Sequence, residues 1–325
     1  MSFQVLVTVG PFLNEPGEHK RIIQEAGCEL VDAVTHRLNE EQMEAAIPGI
    51  DGIILGLERI TPRIVRAATR LRVISRYGVG IDNIDLEACT EAGIVVTSTQ
   101  GANHVPVAEL GMGLLLALAR QIPQGDRAVR DGQWKGISVG GIELAEKTIG
   151  IVGLGRVGLA MAQRARGFDM TVHYYDVFRR TDLEAEGWLT YTDLDTLITT
   201  SDVVSLHSPS TPETHNLINE ARLRRMKPTA LLVNTARGDL IDEDALFKAL
   251  QEGWIAGAAA DAFVNEPPLG SPLLTLNNFI ASPHAGSATP ECRVRMNILA
   301  ARNLVAIVKG ERPPTVVNPA VFLRQ

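Results

Sequence analysis

Three spaced glycines and one downstream acid are the residues of this chain whose types and spacing best suit ligand binding. Gly153, Gly155 and Gly158 form a G-x-G-x-x-G pattern directly after the apolar run 148–152 and before a helix-like segment. A second apolar run ends on Asp176, eighteen residues past Gly158. A strand, a glycine-rich turn, a helix and a strand ending in an acid make the dinucleotide-binding fingerprint. The turn would admit a pyrophosphate at the helix N-terminus, and the acid would accept hydrogen bonds from the adenosine ribose.

Three further side chains suited to charge or proton chemistry each follow an apolar strand candidate: Arg237 after 230–233, Glu266 after 256–260 and His284 after 279–281. In an open parallel sheet, ligands gather beyond the carboxyl ends of the strands. We therefore expect these side chains on the rim that holds the dinucleotide. Each alone has an ordinary structural interpretation, but the set together with the fingerprint favours a catalytic site. His207, which follows the strand candidate 203–206, is expected to pack near the cofactor rather than to transfer protons.

The elements that position these residues are short apolar strands alternating with helix-like segments, which predicts parallel sheets flanked by helices. In the first hundred residues the strand candidates are 5–9, 52–57, 73–75 and 94–97, and the helical segments are 18–26, 61–68 and 86–92. Thr61-Pro62 supplies an N-cap and first-turn signal. One long helix is expected from Val107 to Asp131, and the tail 313–325 is expected to be extended or irregular.

Composition narrows the class of protein. A length of 325 residues favours two domains, and a net charge of −7 without a long Lys/Arg run argues against a nucleic-acid surface. Cys28, Cys89 and Cys292 are odd in number and lack metal-ligand spacing, which indicates thiols in a reducing cytoplasm and no metal site. The N-terminus lacks a signal-peptide pattern, and the longest apolar run, 110–119, is too short to span a membrane. We therefore expect a cytoplasmic protein without nucleic-acid or membrane partners.

The ordered motifs resemble the D-isomer-specific 2-hydroxyacid dehydrogenase family, most closely its phosphoglycerate-dehydrogenase-like branch. The resemblance covers nearly the whole chain, including segments 77–85, 107–109 and 206–214, and the Arg-Gly, Glu-Pro and Pro-His-Ala-Gly motifs follow at the family's spacing of 29 and then 18 residues. It implies an α/β protein of two doubly wound parallel-sheet domains. A Rossmann NAD domain (102–286) would be inserted in a flavodoxin-like substrate domain (1–101 plus 287–325), with the active site in the cleft between them and hinges near Gly101 and Gly286.

The resemblance also implies a reaction, the interconversion of a 2-oxo acid and a D-2-hydroxy acid by hydride transfer with NAD. Arg237 would bind the substrate carboxylate and polarise its carbonyl. His284 would exchange a proton with the carbonyl oxygen, and Glu266 would orient His284 and favour its protonated form. Backbone amides of four consecutive residues would hold the carboxylate: Tyr77, Gly78, Val79 and Gly80.

Cofactor contacts are implied at thirteen positions: Gly153, Gly155, Arg156, Val157, Gly158, Asp176, His207, Ser208, Pro209, Thr235, Ala236, Asp261 and Gly286. The resemblance assigns the pyrophosphate to residues 156–157, the nicotinamide side to Ser208 and the 235–236 backbone, and the carboxamide to Asp261. NAD is preferred over NADP because the Asp176 carboxylate would repel a 2′-phosphate, although Arg179 and Arg180 follow closely.

The chain departs from phosphoglycerate dehydrogenases at one element of the first domain. Leu55 and Gly56 stand where those enzymes usually carry the Arg-Ser pair that helps bind phosphate, and Glu58 would oppose a phosphate. The R group of the substrate, its phosphorylation and the physiological direction therefore stay open. Glu266 argues against formate oxidation, since formate dehydrogenases of the superfamily typically carry Gln there.

Two alternatives of other classes remain. One is an NAD(H)-sensing interaction protein similar to the family's transcriptional corepressors, and the other is oxidation of an inorganic or phosphonate-type anion. The resemblance also suggests a homodimer formed through the NAD domains, with segment 107–131 as the interface helix.

Overall fold

The computed structural model of the protein describes residues 2–33, 37–134 and 140–323. The chain divides into two compact units, Met1–Asn103 with Ala288–Gln325 and, inserted between them, His104–Ser287. Each unit contains one parallel sheet with helices packed on it. This confirms the predicted α/β class with two doubly wound sheets.

The first unit has the strand order of a flavodoxin-like fold. Its strands are β1 (Phe3–Val7), β2 (Cys28–Asp32), β3 (Gly52–Leu55), β4 (Val73–Arg76) and β5 (Val95–Ser98). They pair in parallel in the order β2-β1-β3-β4-β5. Its helices are α1 (Gly10–Asn14), α2 (Glu18–Glu25), α3 (Glu40–Ala46), α4 (Pro62–Ala67), α5 (Leu86–Glu91) and, after the inserted unit, α13 (Pro290–Val308).

Apolar residues at successive strand positions bury both faces of this sheet. Ile53 of β3 packs in the cluster with α3 and α4, whereas Ile54 packs in the cluster that contains Ala300 and Leu304 of α13. The alternation follows from the strand period of two, so a continuous apolar run marks a strand covered on both sides. The predicted N-cap is confirmed, because the Thr61 hydroxyl accepts from an amide of the first turn of α4.

The second unit has the strand order of a Rossmann fold. Its strands are β6 (Thr148–Val152), β7 (Thr171–Tyr175), β8 (Leu189–Tyr191), β9 (Val203–Leu206), β10 (Leu231–Asn234), β11 (Gly257–Ala260) and β12 (Phe279–Ala281). They form a parallel sheet in the order β12-β11-β10-β9-β6-β7-β8. The chain order reverses between β6 and β9, and such a switch point is where this fold binds ligands.

The helices of the second unit are α6 (His104–Ala119), α7 (Ile122–Arg130), α8 (Arg156–Arg166), α9 (Thr181–Glu184), α10 (Leu194–Thr200), α11 (Glu220–Leu223) and α12 (Glu243–Gln251). The motifs identified in the sequence follow β6, β7, β9, β10, β11 and β12, which are all neighbours in the sheet. The parallel arrangement therefore brings them to one rim.

The prediction of one helix from Val107 to Asp131 is wrong. The segment forms α6 and α7, which meet at a bend of 62°. Gln121 at the bend has φ 50°, in the left-handed region, and Pro123 lies in the first turn of α7. A proline inside a continuous helix would clash with the carbonyl four residues earlier and remove one amide, so the helix restarts instead. Within the described ranges, no single helix is long and apolar enough to cross a membrane; α6 and α7 reach that length and hydropathy only as a bent pair.

The tail differs from its prediction at one short element. Residues Pro319–Leu323 form a 3-10 helix, and Val321 within it is fully buried in the cluster that contains Ala300 and Leu304. Together with the hydrogen bonds of Asn318 to Ile94 and Val96, this burial fixes a segment that carries no helical periodicity. Residues 324–325 of the predicted tail lie outside the described residues.

Candidate active site

The glycine turn after β6 has the geometry that a dinucleotide requires. Gly153 has φ 92°, and a Cβ there would lie 2.8 Å from the amide nitrogen of Ser208. A Cβ at Gly158 would lie 2.0 Å from the carbonyl oxygen of Gly153, so the first turn of α8 packs against the glycine turn at a distance that only glycine allows. Gly155, in contrast, faces open space at the N-cap of α8 and has no side chain to accept from the first-turn amides. The open position and the available amides suit a pyrophosphate.

Asp176 lies beside this turn at the end of β7. One carboxylate oxygen accepts from the amide of Leu154 over 2.7 Å, and the other accepts from the amide of Phe178 over 2.9 Å. The acid therefore ties the end of β7 to the glycine turn, and each oxygen keeps a further lone pair for a ribose hydroxyl.

His207 and Ser208 follow β9 on the same rim. The His207 Nε2 atom lies 2.9 Å from the hydroxyl of Ser205, while Nδ1 is buried without a hydrogen-bond partner among the described residues. Burial lowers the pKa of the His207 imidazole to about 4, so the ring is neutral near pH 7. The orphaned Nδ1 is a polar atom that a bound cofactor could satisfy. Pro209 lies next in this loop, and its carbonyl accepts from Thr214.

Arg237 follows β10 in a turn held by Asn234. The Asn234 side chain donates to the carbonyl of Arg237 over 2.8 Å and accepts from the amide of Ala236 over 3.0 Å. The Thr235 side chain packs near Gly111 of α6, and the carbonyl of Ala236 accepts from Arg237 Nη1 over 2.7 Å, so both backbone polar groups of Ala236 have partners in this turn. Sequence reasoning assigned no role to Asn234, although an Asn at a strand end before a turn is a common signal of such a clamp.

Gly238 brings the Arg237 turn against the loop after β11. A Cβ on Gly238 would lie 1.9 Å from the carbonyl carbon of Phe263 and 2.2 Å from the amide nitrogen of Val264. Only glycine fits between these two stretches of backbone. The contact sets the spacing between the turn of Arg237 and the loop that carries Glu266.

Glu266 and His284 share a bifurcated hydrogen bond. The His284 Nδ1 atom lies 2.9 and 2.8 Å from the two carboxylate oxygens of Glu266. Glu266 also accepts from the amide of Phe263 over 3.0 Å, which fixes the carboxylate on its own loop. Because an ionised carboxylate only accepts, Nδ1 carries a proton and Nε2 is the ring atom left for a ligand. The His284 side chain is 49% exposed, so that atom is within reach of one.

Asp261 holds the backbone that directly follows His284. Its two oxygens accept from the amides of Ala285 and Gly286 over 2.8 and 2.9 Å, and the hydroxyl of Ser282 donates to it as well. His284, which precedes these two amides, has φ 52°, a left-handed conformation uncommon for a residue other than glycine. Asp261 is only 3% exposed, so its carboxylate contacts these protein groups rather than the surface where a ligand would bind.

The predicted carboxylate-binding segment lies in the first unit after β4. The amide of Tyr77 donates to the carbonyl of Leu55 and that of Gly78 to the hydroxyl of Thr99, over 2.8 and 2.9 Å. Two of the four amides predicted to bind a ligand therefore already have protein acceptors. The candidates for that role narrow to Val79 and Gly80.

The chain is similar to known proteins over almost its full length. The model of the D-isomer specific 2-hydroxyacid dehydrogenase NAD binding domain matches residues 112–286. A glyoxylate reductase of Thermofilum pendens is 47% identical over 318 residues, which cover 93% of this chain and 94% of that protein.

Solved structures agree. The TT0316 protein from Thermus thermophilus superposes with a TM-score of 0.89 at 39% identity, covering 97% of this chain and 99% of that one. A D-lactate dehydrogenase from Aquifex aeolicus in complex with NAD and lactic acid superposes with a TM-score of 0.85 at 31% identity, over 97% and 99% of the two chains. The glycine turn, the acid at the end of β7 and these matches lead to one assignment: the chain belongs to the D-isomer specific 2-hydroxyacid dehydrogenase family and is an NAD-dependent oxidoreductase.

Proposed function

We propose that this protein uses NADH to reduce a small, unphosphorylated 2-oxo acid to the D-2-hydroxy acid, with Arg237, Glu266 and His284 as its catalytic residues. The observation that carries the proposal is the bifurcated hydrogen bond from His284 Nδ1 to the Glu266 carboxylate at the rim of the Rossmann sheet. An imidazole held by a carboxylate in this way is suited to general acid–base chemistry.

His284 supplies the proton in this mechanism. Its Nδ1–H bond to Glu266 orients the ring and leaves Nε2 to face the substrate. During reduction, Nε2–H gives its proton to the oxygen of the C2 carbonyl, and in the reverse direction Nε2 removes the hydroxyl proton. The bound NADH supplies the hydride that is added to C2. The negative charge of Glu266 stabilises the imidazolium before the proton is transferred.

Arg237 supplies the substrate's anchor. Its planar guanidinium matches a carboxylate and stays charged across the working pH range. Placed against a 2-oxo acid, it withdraws electron density from the adjacent carbonyl and so favours hydride addition. Asn234 and Gly238 fix the backbone from which this side chain projects.

Residues already described are suited to hold the cofactor. The pyrophosphate fits the α8 N-terminus at residues 156–158 and the open position beside Gly155, and the ribose fits the carboxylate of Asp176. The nicotinamide side falls to Ser208 and the backbone of residues 235–236. We propose that Asp261 contributes chiefly by holding the 285–286 backbone and only secondarily through a carboxamide contact.

The first unit supports a substrate without phosphate. Glu58 is 4% exposed and accepts from the hydroxyl of Thr8 over 2.6 Å, close to Gly56, while its neighbour Arg59 is exposed. An inward acid and an outward arginine at the place of the Arg-Ser pair oppose a phosphate. The glyoxylate reductase at 47% identity agrees with a small R group. In the same unit, Val79 and Gly80 are our candidates for amides that bind the carboxylate.

The test is a substrate panel. Purified protein with NADH would be given glyoxylate, pyruvate, hydroxypyruvate and 3-phosphohydroxypyruvate, and the loss of NADH absorbance followed. We expect turnover of about 1 per second or more on at least one unphosphorylated acid, and a kcat/KM at least tenfold lower on the phosphorylated one. A preference for the phosphorylated acid would contradict the assignment of Glu58. Tight NADH binding without turnover on any acid would favour the corepressor-like alternative.

We also propose a homodimer with α7 in its interface. Ile122 and Val129 on this helix are 54% and 51% exposed, and Trp134 shortly after it is 78% exposed. Large apolar side chains exposed together are typical of an interface. Sedimentation velocity of the protein and of an Ile122→Lys/Val129→Lys variant tests this: the first should sediment as a dimer and the second as a monomer, and a wild-type monomer would overturn it.

A further inference from the structure

Two arginines stand next to the acid that selects the cofactor. Arg179 and Arg180 follow Asp176 by three and four residues. In Rossmann domains an arginine near this position accommodates the 2′-phosphate of NADP, whereas an acid accepts from the 2′-hydroxyl of NAD. The segment after β7 thus contains side chains of both kinds, and their geometry decides which one acts.

Arg179 is held by Glu184. Its Nε atom donates to Glu184 Oε1 over 2.9 Å and its Nη2 donates to Oε2 over 2.6 Å, a two-point ion pair. The guanidinium also lies over the ring of Tyr191, 5.0 Å from its centroid. A hydrogen bond from Arg179, and a smaller contribution from that of Tyr174, keep the pKa of Glu184 below its usual range, so the carboxylate stays charged.

Arg180 is held in the same manner by Asp182. Its Nε and Nη2 atoms donate to the two carboxylate oxygens over 2.9 and 2.7 Å. The charge of Asp176 is close enough to act on Arg180 as well, although more weakly than that of Asp182. Both arginines are thus turned to acids of α9.

Tyr174 ties the two ion pairs together. This residue of β7 is fully buried, donates to Glu184 Oε1 over 2.7 Å and accepts from the amide of Arg180 over 2.8 Å. A fixed buried hydroxyl therefore sets the position of Glu184 and the backbone of Arg180 at once. Isolated exposed ion pairs are weak, but a network anchored on a buried group holds its geometry better.

We propose that Glu184 and Asp182 determine cofactor specificity by holding Arg179 and Arg180 in ion pairs, so that neither guanidinium is available to a 2′-phosphate beside Asp176. Discrimination against NADPH then has two sources. Asp176 repels the phosphate, and the two acids of α9 remove the cations that would attract it. The proposal concerns the cofactor alone and does not depend on which 2-oxo acid is reduced.

The experiment measures cofactor binding in the absence of any 2-oxo acid. Dissociation constants for NADH and NADPH would be determined by fluorescence titration of the full-length wild type, Glu184→Gln and Asp182→Asn. Gln at 184 keeps the acceptor for Tyr174 but loses the charge that holds Arg179. We expect NADPH to bind about fivefold more tightly to each variant, the size of effect that freeing one exposed ion pair allows, with NADH binding changed by less than about twofold.

A control variant separates release of an arginine from simple removal of a negative charge. Glu186→Gln changes the same charge in the same segment, but Glu186 accepts from Trp188 rather than from an arginine. The double variant Glu184→Gln/Arg179→Ala removes the released cation itself. We expect NADPH binding in both to stay within about twofold of wild type.

Three results would overturn the proposal. Unchanged NADPH affinity in both Glu184→Gln and Asp182→Asn would show that the arginines contribute nothing when released. An equal gain in Glu186→Gln would assign the effect to net charge, and a gain that survives Arg179→Ala would exclude Arg179. Because no step requires turnover, failure of the proposed reductase activity would leave this test intact.

Discussion

Asn234 clamps the backbone of Arg237: its side-chain amide donates to the Arg237 carbonyl over 2.8 Å while its oxygen accepts from the amide of Ala236 over 3.0 Å. Asn234 ends β10 and is 1% exposed, so the clamp is built on the buried carboxyl end of an interior strand. Asn234 is buried, and by holding the Arg237 backbone it fixes the point from which the Arg237 side chain extends. We infer that Asn234 is a positioning residue for substrate binding.

Replacing Asn234 with Ala should lower kcat/KM for the 2-oxo acid by about tenfold to thirtyfold, the worth of two hydrogen bonds of about 1 kcal/mol each. The effect should act through Arg237, so adding Asn234→Ala to the Arg237→Ala variant should lower kcat/KM almost no further. Steady-state kinetics of the double-mutant cycle measure this coupling. Additive losses in the two single variants would mean that Asn234 acts independently of Arg237 and would contradict the positioning role, and thermal melting of each variant would report any loss of stability separately.

Glu266→Gln should lower kcat by about 100-fold. The neutral amide does not stabilise the imidazolium of His284, and it offers one acceptor oxygen where the carboxylate offers two. The dissociation constant for NADH should stay within about twofold, since Glu266 orients the acid–base residue and not the cofactor. Stopped-flow or steady-state rates and a fluorescence titration give the two quantities.

Glu243→Gln is the matched control for this variant. Its carboxylate accepts from the amide of Val264 in the same loop over 2.9 Å, and we assign it no part in the chemistry. We expect its kcat to stay within about twofold of wild type. Similar losses in Glu243→Gln and Glu266→Gln would indicate loop disruption rather than loss of the acid–base pair.

Local sequence patterns predict the sheets and the glycine turn because their causes are local. A strand buried on both faces, such as β3 or β9, is apolar at most of its positions, and Gly153 and Gly158 must lack a Cβ where backbone meets backbone. The family's ordered motifs likewise predict that Glu266 and His284 meet, although they lie 18 residues apart.

Features that depend on side-chain geometry across several strands escape the sequence. The polar clamp of Asp261 requires the register of β11 beside β12, which no single segment encodes, whereas the clamp of Asn234 is local and is indicated by an Asn before a turn. The break at Gln121 is different, because Pro123 is a local breaking signal, and the prediction of one helix over 107–131 gives it too little weight. The ion pairs of α9 depend on a tyrosine buried in the neighbouring strand.

Gly238→Ala should destabilise the second unit and reduce activity together. Its Cβ would stand 1.9 Å from the carbonyl carbon of Phe263, so the turn of Arg237 or the loop of Glu266 must move. Overpacking of this kind costs about 1–3 kcal/mol. Urea unfolding and kcat/KM would both be measured. Gly113→Ala is the control, since a Cβ there meets nothing within 4 Å and alanine favours the helix; its stability should be equal or higher. A Gly238→Ala variant as stable and active as wild type would contradict the close approach.

His207 should make the stability of this protein depend on pH between about 6.5 and 4. Burial lowers its pKa in the folded state to about 4, whereas the unfolded chain has the ordinary value near 6.5. The unfolded state therefore binds more protons in this range, and the free energy of unfolding falls as pH drops from 6.5 towards 4.

His207→Gln keeps a hydrogen-bonding partner for Ser205 but does not titrate, so its stability should decline less than that of wild type between pH 7 and 5. Urea unfolding at pH 7, 6 and 5 measures the difference, with the exposed His215→Gln as the control expected to follow wild type. Parallel curves for wild type and His207→Gln would mean that the pKa of His207 is the same in the folded and unfolded states, which would contradict the lowering of that pKa by burial.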